Sequence, residues 1–128
     1  MRVGLLGGGS WGTTVASLVA RNAPALLWAR DAAAVNEINS RHTNEKYLPG
    51  ARLNDGLRAT SDIGEAIVDA DVVVVGVPSQ YFRSALESIR PHIRPWVPVI
   101  SLAKGLETPS GKRMTDIIAE ILPEHPPG

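Results

Sequence analysis

A glycine-rich turn, Gly7-Gly8-Gly9-Ser10-Trp11-Gly12, follows directly on the apolar run Arg2-Val3-Gly4-Leu5-Leu6 and leads into a segment of helical periodicity. Gly7, Gly9 and Gly12 satisfy G-x-G-x-x-G, and each glycine has its own task where a strand turns sharply into a helix. Gly7 permits the tight exit from the strand. Gly9 lacks a Cβ where a pyrophosphate must approach the backbone, and Gly12 lets helix and strand pack closely. Free N–H groups of the first helical turn, with the helix's partial positive charge, then hold the anion. The bland alternative is a glycine-rich turn with no ligand. Context decides between them, because the motif carries this meaning only at the start of a βαβ unit.

The rest of the chain supplies that context. Val15, Leu18 and Val19, with Ala16 and Ala20, recur at helical spacing from Ser10 to Arg21. Asn22-Ala23-Pro24 stops this helix, and Ala25-Leu26-Leu27-Trp28 begins a second strand. Asp31 is placed to cap a helix running to about Ser40. Arg41 to Asp55 reads as a loop, and Leu57 to Thr60 as a short strand. Ser61-Asp62 opens a brief helix to Asp69, with Glu65 as capping-box partner. Val72-Val73-Val74-Val75 is continuously β-branched, the pattern of a strand buried on both faces. A helix from about Ser79 to Ile89, a strand from Val97 to Leu102 and a helix from about Ser110 to Leu122 complete the alternation. The prediction is an α/β, Rossmann-type doubly wound fold: a mainly parallel sheet, right-handed crossovers and helices on both faces. Residues 1–122 form this domain, and Pro123 to Gly128 reads as a linker or frayed end.

Gly8-Gly9-Ser10-Trp11-Gly12 also fits G-x-S-x-G, the nucleophile elbow of serine hydrolases. That reading needs an acid and then a histidine brought to Ser10. His42, His92 and His125 fall in a polar loop, a Pro-flanked turn and the tail, and all three read as ordinary surface residues. The elbow also leaves Gly7 unexplained. For a dinucleotide, the end of the second strand selects the cofactor. An acidic residue about 20 positions after the glycines accepts from the adenosine ribose when NAD is preferred. Here Ala29 or Arg30 takes that place, and a guanidinium can pair with a 2′-phosphate. Arg30 therefore favours NADP over NAD without excluding NAD, and Asp31 is left as a cap.

Thirteen basic residues against thirteen acidic give zero net charge, which argues against a nucleic-acid binder. There are no cysteines, hence no disulfide framework and no thiolate metal site, and nothing else suggests a metal. No targeting or membrane segment is evident, so the default localisation is cytoplasmic.

Several segments together resemble one family along nearly the whole chain: the bacterial NAD(P)-dependent sn-glycerol-3-phosphate dehydrogenases. They are the glycine turn with its Ser10-Trp11, Leu27-Trp28-Ala29-Arg30, Asn44-Glu45-Lys46-Tyr47-Leu48-Pro49-Gly50, Val77-Pro78-Ser79-Gln80 and Ser101-Leu102-Ala103-Lys104-Gly105-Leu106-Glu107. The resemblance implies that Ser10 and Trp11 contact the cofactor with the glycine turn, and that Arg30 meets the adenosine ribose or its phosphate. It implies that Pro78 and Ser79 line the dinucleotide cleft, with Tyr81 packed near it. Lys104 would touch both the nicotinamide end and a small phosphorylated substrate, and Gly105 would let that ligand approach the backbone. Lys104 follows a strand at the carboxyl edge of the sheet, where such folds bind ligands. Without the resemblance it reads as an exposed lysine opening a loop.

The family pattern continues into a helical domain that supplies a general-base lysine and the groups gripping substrate. Those segments lie outside this sequence, so the expectation is an excised or truncated dinucleotide domain with no catalytic base of its own. The full-length enzyme would reduce dihydroxyacetone phosphate reversibly to sn-glycerol 3-phosphate for phospholipid synthesis, as a homodimer. Other readings are a ketopantoate-reductase-like or hydroxyacid dehydrogenase, which would lack the S-x-x-K-G-L-E segment, and a non-catalytic nucleotide-binding module, which would tolerate loss of Lys104.

Overall fold

Val3 to Leu6 and Val72 to Val75 lie side by side in parallel register, Val3 against Val72 and Leu6 against Val75. Both runs are continuously apolar because both faces of the sheet are covered. The computed structural model describes residues 1–103 and 105–128. Its elements alternate as β1 (Val3–Leu6), α1 (Ser10–Val19), β2 (Ala25–Trp28), α2 (Ala32–Arg41), β3 (Arg58–Thr60), α3 (Ile63–Val68), β4 (Val72–Val75), α4 (Ser79–Ile89), β5 (Val99–Ser101) and α5 (Met114–Ile121). The strands make one five-stranded sheet in the order β3-β2-β1-β4-β5, with every pairing parallel. β1 is central. The chain builds outward from it through β2 and β3, then crosses over to build the other half. The Rossmann-type expectation is met.

Successive strand residues alternate between two cores. Val3, Leu5, Leu27 and Val74 pack with Ala16 of α1 and Ile38 of α2. Leu6, Val73 and Val75 pack with α3, α4 and α5 through Ile67, Phe82, Leu86, Ile117 and Ile118. Helix caps follow the local sequence. Asp31 accepts from the Ala33 N–H at 2.9 Å and starts α2. Asp62 accepts from the N–H groups of Gly64 and Glu65 and starts α3, but the expected capping box does not form, because the Asp62 N–H donates to the Thr60 hydroxyl instead of the Glu65 side chain.

Several local expectations are corrected. On α1 the buried residues are Gly12, Thr13 and Ala16, whereas Leu18 is exposed. Small side chains bring this helix close to the sheet, Val15 and Val19 pack half-buried at the edge of the same core, and Leu18 alone of the expected apolar face turns away. α5 begins at Met114 rather than about Ser110, because residues 106–113 fold back on themselves first. Leu106 bridges Arg113 antiparallel, and the Glu107 N–H donates to the Lys112 carbonyl at 2.8 Å.

The tail is ordered beside β5 rather than frayed. Val99 N–H donates to the Pro126 carbonyl, Gly128 N–H to the Val99 carbonyl and Ser101 N–H to the Gly128 carbonyl, all within 2.9 Å. Pro127 thus pairs parallel with Val99 beside β5. Two of the three histidines differ from ordinary surface residues, while His92 is exposed as expected. His125 is buried and bonds the Val97 carbonyl at 2.8 Å. His42 takes a left-handed conformation that closes the C-terminus of α2, and the His92 ring packs against Gly64.

Candidate functional site

The carboxyl ends of β1, β2, β4 and β5 open into one cleft of about 1120 Å³, lined by residues that follow each strand: Gly7, Ala29, Gly76 and Leu102 among them. β1 has its two neighbours, β2 and β4, reached by connections running in opposite directions. Open α/β sheets bind ligands at such a switch point, outside the carboxyl ends of the strands. The volume exceeds the range of roughly 300–1,000 Å³ usual for small-molecule pockets and suits an extended ligand.

The glycine turn forms the floor of this cleft. Gly7 has φ +111°, a conformation that side chains other than glycine's rarely adopt. A Cβ on Gly12 would stand 2.2 Å from the Gly7 carbonyl oxygen, so the first turn of α1 touches the end of β1. Gly9 is different: a Cβ there would meet nothing within 4 Å, because this position faces the open cleft. The first backbone bond of α1 runs from the Thr13 N–H to the Gly9 carbonyl at 2.9 Å. The N–H groups before Thr13 consequently have no helical partner and are available to an anion. Trp11 extends from this turn, 60% exposed.

All of the sequence-predicted residues from Gly7 to Tyr81 converge here: Gly7, Gly9, Ser10, Trp11, Gly12, Arg30, Pro78, Ser79 and Tyr81 line the same cleft. Arg30, beyond β2, sets its guanidinium 5.7 Å from the centre of the Tyr81 ring on α4, within cation–π range. The neighbouring Asp31 carboxylate caps α2 and lines the cleft as well. No histidine is found among the described residues lining the cleft, so the G-x-S-x-G reading has no base near Ser10.

Lys104 lies outside the described residues. Gly105 has φ +98° and is exposed, and it does not line the cleft. Just beyond it, Glu107 is held by Arg83 of α4 through two bonds, Nε to Oε2 at 2.7 Å and Nη2 to Oε1 at 2.9 Å. Ser110 donates a third bond to Glu107, while Glu120 of α5 bridges Arg83 and Lys112. The Arg83 guanidinium, helped by the Ser110 hydroxyl, pushes the Glu107 carboxyl down to about 2. The clamp ties the segment after β5 to α4 and α5.

Lys46 and Tyr47 also line the cleft, from a loop that sequence reasoning left without a role. The Asn44 to Gly50 segment was the available signal, since it stood out as a motif. Its proximity to the glycine turn depends on folding and has no trace in local pattern. Among the described residues no helix is long and apolar enough to cross a membrane, and no cluster of His, Cys, Asp and Glu could hold a metal ion.

Known proteins share this arrangement. The chain is 64% identical over its whole length to glycerol-3-phosphate dehydrogenase (NAD(P)+) 2 of Sphingopyxis alaskensis, covering 38% of that protein. It is 54% identical to glycerol-3-phosphate dehydrogenase (NAD(P)+) 1 of Mycobacterium tuberculosis, with 99% of this chain and 38% of the relative aligned. The chain thus spans well under half the length of these curated relatives. The crystal structure of a glycerol-3-phosphate dehydrogenase from Coxiella burnetii superposes with a TM-score of 0.88 at 26% identity, covering 98% of this chain and 39% of that one. The family model described as NAD-dependent glycerol-3-phosphate dehydrogenase N-terminus matches residues 2–127, and the chain belongs to that family.

Proposed function

We propose that this chain forms the cofactor-binding part of an oxidoreductase that interconverts sn-glycerol 3-phosphate and dihydroxyacetone phosphate with NAD(P), feeding glycerophospholipid synthesis. The observation that carries this reading is the open Gly9 position at the mouth of α1, on the floor of a cleft at the switch point of the sheet. Family membership narrows the chemistry from any dinucleotide enzyme to this one. The cysteine-free sequence suits the cytoplasm, where we place the enzyme.

The residues present fit a dinucleotide. Gly9 leaves room for a diphosphate against the backbone, and the N–H groups of the first turn of α1 donate to it. Arg30 pairs with the adenosine ribose or its 2′-phosphate and favours NADP, with NAD still accepted. Pro78, Ser79 and Tyr81 line the same cleft. The nicotinamide, when bound, supplies or accepts the hydride. Lys104, following β5 in sequence, holds the substrate's oxygen or phosphate by its ammonium, and Gly105 keeps that approach unobstructed.

A chimera tests this directly. The matching segment of the Sphingopyxis alaskensis relative is replaced by this chain, and NADPH oxidation is followed with and without dihydroxyacetone phosphate. Oxidation should depend on dihydroxyacetone phosphate, and Lys104→Ala should lower kcat/KM by about a hundredfold or more. A folded chimera that binds NADPH and leaves dihydroxyacetone phosphate unreduced contradicts the reading.

A further inference from the structure

Asn44 is completely buried, beneath the glycine turn and away from the cleft surface. Its carboxamide nitrogen donates to the Gly8 carbonyl at 3.0 Å and to the Thr13 hydroxyl oxygen at 3.2 Å. Its backbone carbonyl accepts from the N–H groups of Tyr47 and Leu48, which shapes the loop carrying Lys46 and Tyr47. That loop is anchored a second time on α2, where Glu37 Oε2 accepts from the Thr43 hydroxyl at 2.7 Å and the Glu45 N–H at 2.8 Å. Those two donors hold the Glu37 carboxyl below its ordinary value and keep it ionised as an acceptor.

The bond to Gly8 bears on ligand binding through the geometry of one peptide group. The Gly8 carbonyl and the Gly9 N–H belong to the same plane and point in opposite directions. Both flanking residues are glycine, so the backbone itself does little to prevent this plane from turning over. Asn44, fully buried, draws the Gly8 carbonyl inward, which directs the Gly9 N–H to the opposite side, away from Asn44. A turned-over peptide would instead present a carbonyl oxygen to an incoming anion.

We propose that Asn44 is a positioning residue for the anion cradle, fixing the Gly8–Gly9 peptide so that its N–H faces the cleft. The inference rests on the reading that this cradle takes the diphosphate of a dinucleotide. It assigns Asn44 an effect on diphosphate binding that exceeds its effect on the fold.

The test uses the chain itself with ADP and adenosine as probes, titrated by NMR, and thermal melting as the check on folding. Asn44→Ala should weaken ADP about tenfold or more while changing adenosine by less than about twofold. Asn44→Asp keeps the side chain's shape but its carboxylate cannot donate, so it should weaken ADP at least as much. Thr13→Val removes the other acceptor and leaves the Gly8 bond, and should keep ADP within about twofold of wild type. Folded Asn44 variants with unchanged ADP binding overturn the proposal, as do equal losses of ADP and adenosine. A Thr13→Val loss as large as that of Asn44→Ala also overturns it, since general packing would then be responsible. Wild-type chain that binds ADP no better than adenosine removes the diphosphate reading beneath the proposal, whatever the variants do.

Discussion

Gly9 and Gly12 stand three residues apart and are glycine for opposite reasons. At Gly12 a side chain is excluded by the protein, whose Gly7 carbonyl lies 2.2 Å from the Cβ position. At Gly9 the protein leaves space, and in the proposed reading the exclusion comes from the bound diphosphate. Gly12→Ala should therefore destabilise the chain by about 1–3 kcal/mol, as forced overpacking does. Gly9→Val should stay within about 1 kcal/mol of wild type in urea denaturation yet lose NADPH binding by about tenfold or more. A Gly9→Val chain that binds normally would mean that the turn is only a turn. The motif made both glycines legible in sequence because its spacing encodes a strand, a turn and a helix start together. Asn44 was not legible as a contact of Gly8. Thirty-six positions separate them, and only the return of the loop after α2 brings them together.

The clamp between α4, α5 and the segment after β5 belongs to the scale of elements. Arg83 holds the Glu107 carboxyl at about 2, against an ordinary value of 4.5. The folded state therefore favours the ionised carboxylate. The stability this contributes is complete above pH 4.5 and is lost as pH falls through about 2. Urea denaturation of the wild type across that range should show a decline that Glu107→Gln makes shallower. Other carboxylates with lowered values, Asp71 and Asp116 among them, keep part of the slope in both proteins. Superimposable pH profiles would show that the clamp contributes nothing to stability. The sequence reading placed a helix here, from about Ser110 to Leu122, but started it too early. The ion pairs and the Leu106–Arg113 bridge that displace its first turn are tertiary, and local propensity does not register them.

For the molecule as a whole, the parallel sheet was readable because strands buried on both faces must be continuously apolar, as Val72 to Val75 are. The extra pairing of the tail was hidden for the same kind of reason. Pro126 and Pro127 look like linker residues, yet a proline carbonyl still accepts: Pro126 takes the Val99 N–H, and Gly128 completes the pairing by donating to Val99 and accepting from Ser101. The cleft was legible through the residues that follow strands, from Gly7 to Tyr81, because the fold gathers strand ends at one edge. In the proposed function, this gathered edge holds a pyridine dinucleotide, with Arg30 reading its ribose. Titration of the chain with NADPH and NADH, followed by quenching of Trp11 and Trp28 fluorescence, tests it most directly. Saturable binding that favours NADPH is expected, with a preference for NADPH that Arg30→Asp lowers by about tenfold or more. A folded chain that binds neither nucleotide saturably, or an Arg30→Asp chain that loses both equally, would contradict it.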